Sequence, residues 1–310
     1  MPEENLTFET NKLDHRFAAY VFMAVVFCWV LCQLMVGGVA ESNGVDLDKF
    51  WESFVFTIIQ YGLFFGVFFI MCRQLRVGGR EIPRAVGLSG GISARNVGLV
   101  VLLACLALVS YVLVVQGFGD VLAYLGFRAR AGAGPQGIAQ YIAAVFGLCL
   151  LPAVIEELLF RGFVLRGFLP LGRGAAVVAS ALLFTFFHFN PEQTVYQFAL
   201  GIVLALVVLK TGNLVYAMIF HFLNNFFIVT TYTFFGDPAV GLVWSPLSVF
   251  VAVSLAVLGS IMILGASKAL KREGDYGRAR SAVRFFSFDN IGFFVATGLG
   301  FCIWTLGFFG

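Results

Sequence analysis

Glu156, Glu157 and Arg161 stand together in "EELLFR", at the end of the apolar run 137–155. Two histidines follow in equally apolar surroundings, His188 in "FTFFHF" and His221 in "IFHFLNN", with Asn225 four residues after the second. A charge in hydrocarbon costs at least about 2.5–3.5 kcal/mol, so side chains of these types persist there for chemistry or for pairing. The chemistry within reach is hydrolysis. A carboxylate and a neutral imidazole can take a proton from water as it attacks a carbonyl, while donors opposite stabilise the developing oxyanion. A helical spacing of four puts Glu157 on one face with Arg161, and His221 on one face with Asn225. Glu156 and Glu157 diverge by about 100°, so one can face a cavity while the other holds a neighbouring group.

Each feature also has a plainer reading. A Glu–Arg pair beside Arg166 and Arg173 can be a snorkelling helix end, and a single intramembrane histidine can simply donate to a neighbouring helix. Phe184, Phe186 and Phe187 read as packing. The co-occurrence of two carboxylates, two imidazoles and a carboxamide is what favours function. His188, His221 and Glu156 have the ligand types of a catalytic zinc site. No H-E-x-x-H occurs, however, and the third histidine, His15, sits in the charged N-terminal tail, where it is expected to be solvated. The reading therefore favours no cofactor, with zinc as the alternative. A serine nucleophile lacks its G-x-S-x-G setting, and no cysteine belongs to the set.

The elements that must position these residues follow from composition. Of 310 residues, 60% are hydrophobic, 12% charged and 37 are Phe, and the mean hydropathy is +0.93. Such a chain has too little polar surface to coat a soluble globule and must use lipid as solvent. The net charge of +3 points neither to nucleic acid nor to an acidic partner. Six scattered cysteines read as small buried hydrophobes. Apolar runs at 17–39, 50–72, 97–117, 137–160, 175–190, 194–210, 213–235, 247–266 and 291–309 are candidates to cross about 30 Å of hydrocarbon, the fifth, sixth and ninth being short for it. The expected fold is an all-α polytopic bundle of about eight to nine transmembrane helices with a polar intramembrane site. A cytoplasmic N-terminus would put 17 of the 20 basic residues inside, leaving only Lys49, Arg128 and Arg130 outside. That asymmetry argues for a multi-pass protein of the cell membrane with an external C-terminus.

The chain then divides into a tail (1–16), N-terminal spans (17–118), a core (137–235), a further span (247–266), a basic cytoplasmic linker (268–290) and a last span (291–310). Counted from the cytoplasmic helix ends, His188 and Asn225 lie about 20 Å deep and His221 about 14 Å. Glu156 lies about 17 Å deep if the fourth helix runs on to Gly167; an exit at Ile155, where Pro152 could bend it, would leave the glutamates at the surface. Matched depth suits one catalytic cavity better than a proton-coupled carrier, whose ionisable groups would spread along the membrane normal.

In this order, on successive spans, "EELLFR", "FTFFH" and "HFLNN" are similar to the E-E-x-x-x-R, F-x-x-x-H and H-x-x-x-N motifs of the CAAX prenyl endopeptidase and bacteriocin-processing (CPBP) family of intramembrane proteases. "KTGNL" (210–214) fits as well, and the resemblance covers residues 137–235. It implies a peptide-bond hydrolase in which Glu156 and His188 activate water, His221 and Asn225 are the oxyanion donors, and Glu157 with Arg161 orients the set. The implied partners are the lipid bilayer and a peptide or protein substrate, whether a prenylated C-terminus, a leader peptide or a membrane-protein segment.

Overall fold

The computed structural model describes residues 13–46, 49–127, 134–236, 245–274, 276 and 291–306. Each of the nine apolar runs contains a helix, and no strand occurs among the described residues. We label them α1 (His15–Asn43), α2 (Phe50–Gln74), a short α3 (Ile82–Val86) and α4 (Ala94–Tyr124). The long helical rod α5 (Gly137–Leu171) comes next, followed by α6 (Arg173–Phe187), α7 (Thr194–Thr211), α8 (Val215–Phe235), α9 (Pro246–Ser267) and α10 (Ile291–Leu306). Seven are long and apolar enough to cross a membrane, and α6 is a shorter apolar helix of 15 residues. The protein is an integral, multi-pass membrane protein. The six residues 128–133 of the expected outer loop and most of the 268–290 linker lie outside the described residues.

The bundle reverses the polarity of a soluble protein. Phe27, Leu34, Phe250, Val253 and Ile261 are exposed on its outer surface, whereas Glu156, Glu157, Arg161, His221 and Asn224 are buried inside. Lipid solvates the former at no cost, and the latter must find their partners within the protein. The rod α5 is the centre of the packing, touching α1, α2, α3, α6, α7 and α8, while α4 is flanked by α9, α8 and α7. Gly201 sits at the α6–α7 contact, where a Cβ would come 3.0 Å from Ala181. That bare backbone brings α7 close enough to offer its carbonyl to a side chain of α5.

α5 continues as a helical rod past the glutamates to Leu171, the condition under which the sequence puts Glu156 deep. The rod is not a uniform α-helix. Val145–Leu150 and Leu158–Leu165 are wound in the wider π register, one on each side of Leu151–Glu157, a feature common near functional sites. The first π stretch precedes Pro152, which has no N–H to give the carbonyl four residues back.

At the end of the bundle near Leu171, residues 268–274 and Tyr276 are tied down by backbone and side-chain bonds. Asn96 exchanges two hydrogen bonds with the backbone of Lys271, Thr211 accepts from the N–H groups of Glu273 and Gly274, and the buried Tyr276 hydroxyl donates to the carbonyl of Arg161. The expectation of a solvated His15 fails. His15 is only 7% exposed, and neither ring nitrogen has a hydrogen-bond partner among the described residues. The reason is local. Gly167 has no side chain, and a Cβ there would meet the Asp14 carbonyl and Ala18, so the start of α1 lies against the end of α5.

Candidate active site

Glu156 and Glu157 occupy the short α-helical stretch between the two π segments, and Arg161 lies one turn on in the second. The spacing of four works as the sequence implies: Arg161 Nη1 donates to Glu157 Oε1 at 2.8 Å, with both side chains 0% exposed. The same oxygen faces His221 Nδ1 at 2.9 Å. Glu157 is thus a bridge that fixes the imidazole of α8 to the guanidinium of α5. Arg161 is held further by Nη2 on the Gly201 carbonyl at 3.3 Å and by its stacking 4.2 Å over the Phe184 ring. Such company offsets the cost of burying a guanidinium.

Glu156 points elsewhere, as a 100° separation requires. Its Oε1 accepts a 2.6 Å hydrogen bond from the hydroxyl of Tyr61 on α2. Its Oε2 is buried without a hydrogen-bond partner among the described residues. Two imidazole nitrogens face that oxygen, His188 Nε2 at 4.0 Å and His221 Nε2 at 3.9 Å. These separations exceed hydrogen-bond range and suit groups that share a third atom between them.

His188 caps the C-terminus of α6. Its Nδ1 lies 2.7 Å from the Phe184 carbonyl, which can only accept, so Nδ1 carries the hydrogen and Nε2 of the neutral ring has its lone pair toward Glu156. The next residue, Phe189, has a left-handed backbone (φ 47°), which turns the chain sharply out of α6, and its ring packs against Trp29. Five of the six candidate residues, Glu156, Glu157, Arg161, His188 and His221, therefore form one connected cluster.

Asn225 stands slightly apart. It lies one turn beyond His221, and its Nδ2 donates at 3.1 Å to the Leu148 carbonyl, the one that Pro152 leaves without its α-helical donor. The neighbouring Asn224 is the buried asparagine. Its Nδ2 donates to Asn225 Oδ1 at 3.1 Å, and its Oδ1 accepts from the Tyr196 hydroxyl. Sequence reasoning passed over Tyr61, Tyr196 and Asn224. The "NN" pair was a visible signal for the last, but a tyrosine within a phenylalanine-rich span gives none by itself.

No curated protein and no solved structure matches this chain. Residues 138–227, less than a third of the chain, match the family model described as type II CAAX prenyl endopeptidase Rce1-like. The matched stretch, from the start of α5 to the middle of α8, contains all six candidate residues and is similar to a family of endopeptidases.

Proposed function

We propose that the protein is an intramembrane endopeptidase that hydrolyses a peptide bond of a membrane-associated or lipidated peptide or protein. The observation that carries this reading is the bare Oε2 of Glu156, buried and aimed between two imidazole Nε2 atoms. Glu156 takes a proton from a water whose other hydrogen is given to the His188 lone pair, as the water oxygen bonds to the scissile carbonyl carbon. The carbonyl oxygen becomes an oxyanion facing His221 and Asn225. Collapse breaks the C–N bond, and the proton held by Glu156 passes to the leaving amine. With Nδ1 donating to Glu157, His221 offers an Nε2–H to the oxyanion only as an imidazolium, and Glu157 is placed to balance that charge. Asn225 has a second amide hydrogen beyond the one given to Leu148.

The clustering of the ionisable groups in one place, rather than along the membrane normal, supports hydrolysis over a proton relay. The charge placement also supports a cytoplasmic N-terminus. For zinc, the donor types and the pinned Nδ1 atoms suit a metal. The spacing does not, because tetrahedral zinc holds N and O ligands about 3.4 Å apart, against 3.9 and 4.0 Å here. Among the described residues no group of three such side chains could hold a metal as placed. The proposed steps therefore use none.

The test is cleavage of an internally quenched peptide ending in a prenylated Cys-aliphatic-aliphatic-X sequence by the purified protein in nanodiscs, with the unprenylated peptide alongside. Wild type is expected to cleave the prenylated form. Glu156→Gln, which keeps the shape and removes the proton acceptor, should lower the rate by roughly 10²–10⁴-fold. Equal rates in the two proteins would end the assignment of Glu156 as base. Metal analysis of the same sample should find well under one zinc per chain, and chelator should leave cleavage intact. Stoichiometric zinc lost together with activity would replace this mechanism with a metal-dependent one.

A further inference from the structure

The buried stripe of α2 is Tyr61, Phe64, Val67, Phe68, Met71 and Cys72, and Tyr61 is its one hydroxyl-bearing side chain. Packing explains the ring, which sits edge-on to Phe64 with centroids 5.8 Å apart. It does not explain the hydroxyl, because a phenol oxygen buried among phenylalanines is destabilising unless it has a partner. That partner is Glu156 Oε1, 2.6 Å away, and the contact joins residues 95 apart in the chain. Tyr61 also lies outside the matched segment 138–227.

From this geometry we propose that Tyr61 is a positioning residue for Glu156: its O–H occupies Oε1, which turns Oε2 toward His188 and His221. The inference rests on the reading of Glu156 as the base. A carboxylate free to rotate would present either oxygen to either neighbour. With one oxygen tied to α2, the unpartnered one is held in the gap between the imidazoles, where a nucleophilic water has to be. The groups that face Glu156 are Tyr61 from α2, His188 from the end of α6, His221 from α8, and Glu157 and Arg161 from its own rod. Of these, only Tyr61 hydrogen-bonds to it directly among the described residues.

The experiment compares wild type with Tyr61→Phe, which keeps the ring and deletes only the hydroxyl, in nanodiscs. Protonated intramembrane carboxyls react with dicyclohexylcarbodiimide, so labelling of Glu156 is followed by mass spectrometry across pH, with no substrate present. A donor removed from a carboxylate disfavours its charged form, so the midpoint of labelling should move upward by about one pH unit. The acid limb of the cleavage profile should move with it, with kcat on that limb down about tenfold and KM little changed. Phe64→Leu, which disturbs the same ring contact but spares the hydroxyl, should leave the midpoint where it is. Identical labelling midpoints in wild type and Tyr61→Phe would overturn the proposal, as would an equal shift in Phe64→Leu. If wild type cleaves no peptide, the protease reading fails, while the labelling comparison still decides what Tyr61 does to Glu156.

Discussion

Replacing Arg161 by Met tests whether Glu157 and Arg161 form a single buried unit. Both side chains are 0% exposed and bonded at 2.8 Å, so Arg161→Met leaves the Glu157 carboxylate buried with only the His221 imidazole beside it. Breaking a buried pair from one side costs about 3–5 kcal/mol. Glu157→Gln does the reverse, leaving the guanidinium with an amide oxygen in place of a carboxylate, and is expected to cost about 3 kcal/mol, the low end of the same range. The double variant removes both charges. What it forfeits is the 3.3 Å bond to the Gly201 carbonyl and the stacking on Phe184, together about 1–3 kcal/mol. The singles therefore sum to roughly 6–8 kcal/mol against about 1–3 for the double, a coupling of several kcal/mol. Equilibrium unfolding in mixed micelles with increasing SDS reads these differences. The two variants that carry Glu157→Gln should also lose cleavage, since His221 Nδ1 no longer has its carboxylate. Additivity within about 0.5 kcal/mol would show that the two side chains do not act together and would refute the bridge on which the orientation of His221 depends.

Asn225→Ala should destabilise by about 1 kcal/mol by leaving the Leu148 carbonyl without the amide, and adding Pro152→Ala, which restores a backbone N–H, should recover most of it in the same unfolding assay. A fall in cleavage that Pro152→Ala does not rescue would separate a direct role of the Asn225 amide from this structural one. Glu273, outside the spans, accepts from Ser93 and Tyr216, and these bonds, Ser93 first, hold its carboxyl below the ordinary value. Its stabilising effect is therefore complete above the unfolded value near 4.3 and is lost as pH falls through the lower folded value. Stability profiles of wild type and Glu273→Gln should diverge above that window and converge below it, and parallel profiles would contradict this. Reporters active on one side only, fused to each terminus, should place the N-terminus in the cytoplasm and the C-terminus outside; both ends on one side would remove a crossing.

Much of the architecture was legible without coordinates because hydropathy is a property of single segments. Each apolar run had to be a helix to satisfy its own backbone in lipid, and each of the nine runs contains one. The Glu157–Arg161 pair was legible for the same reason, since a spacing of four closes within one helix. Contacts between helices were decided elsewhere. His221 bonds to Glu157 while its other nitrogen faces Glu156, and Tyr61 reaches Glu156 from another span. These pairings depend on how far each helix is rotated about its axis, which packing between helices sets. Asn224 rather than Asn225 is the deeply buried amide for the same reason, and His15 is covered because Gly167 leaves room for the start of α1. The sequence by itself determined that carboxylates and imidazoles would lie among apolar helices and need partners there, because leaving them unpaired in such surroundings is costly. Only the tertiary structure decided which oxygen faces which nitrogen, because rotation and close approach are properties of packed helices and not of any one of them.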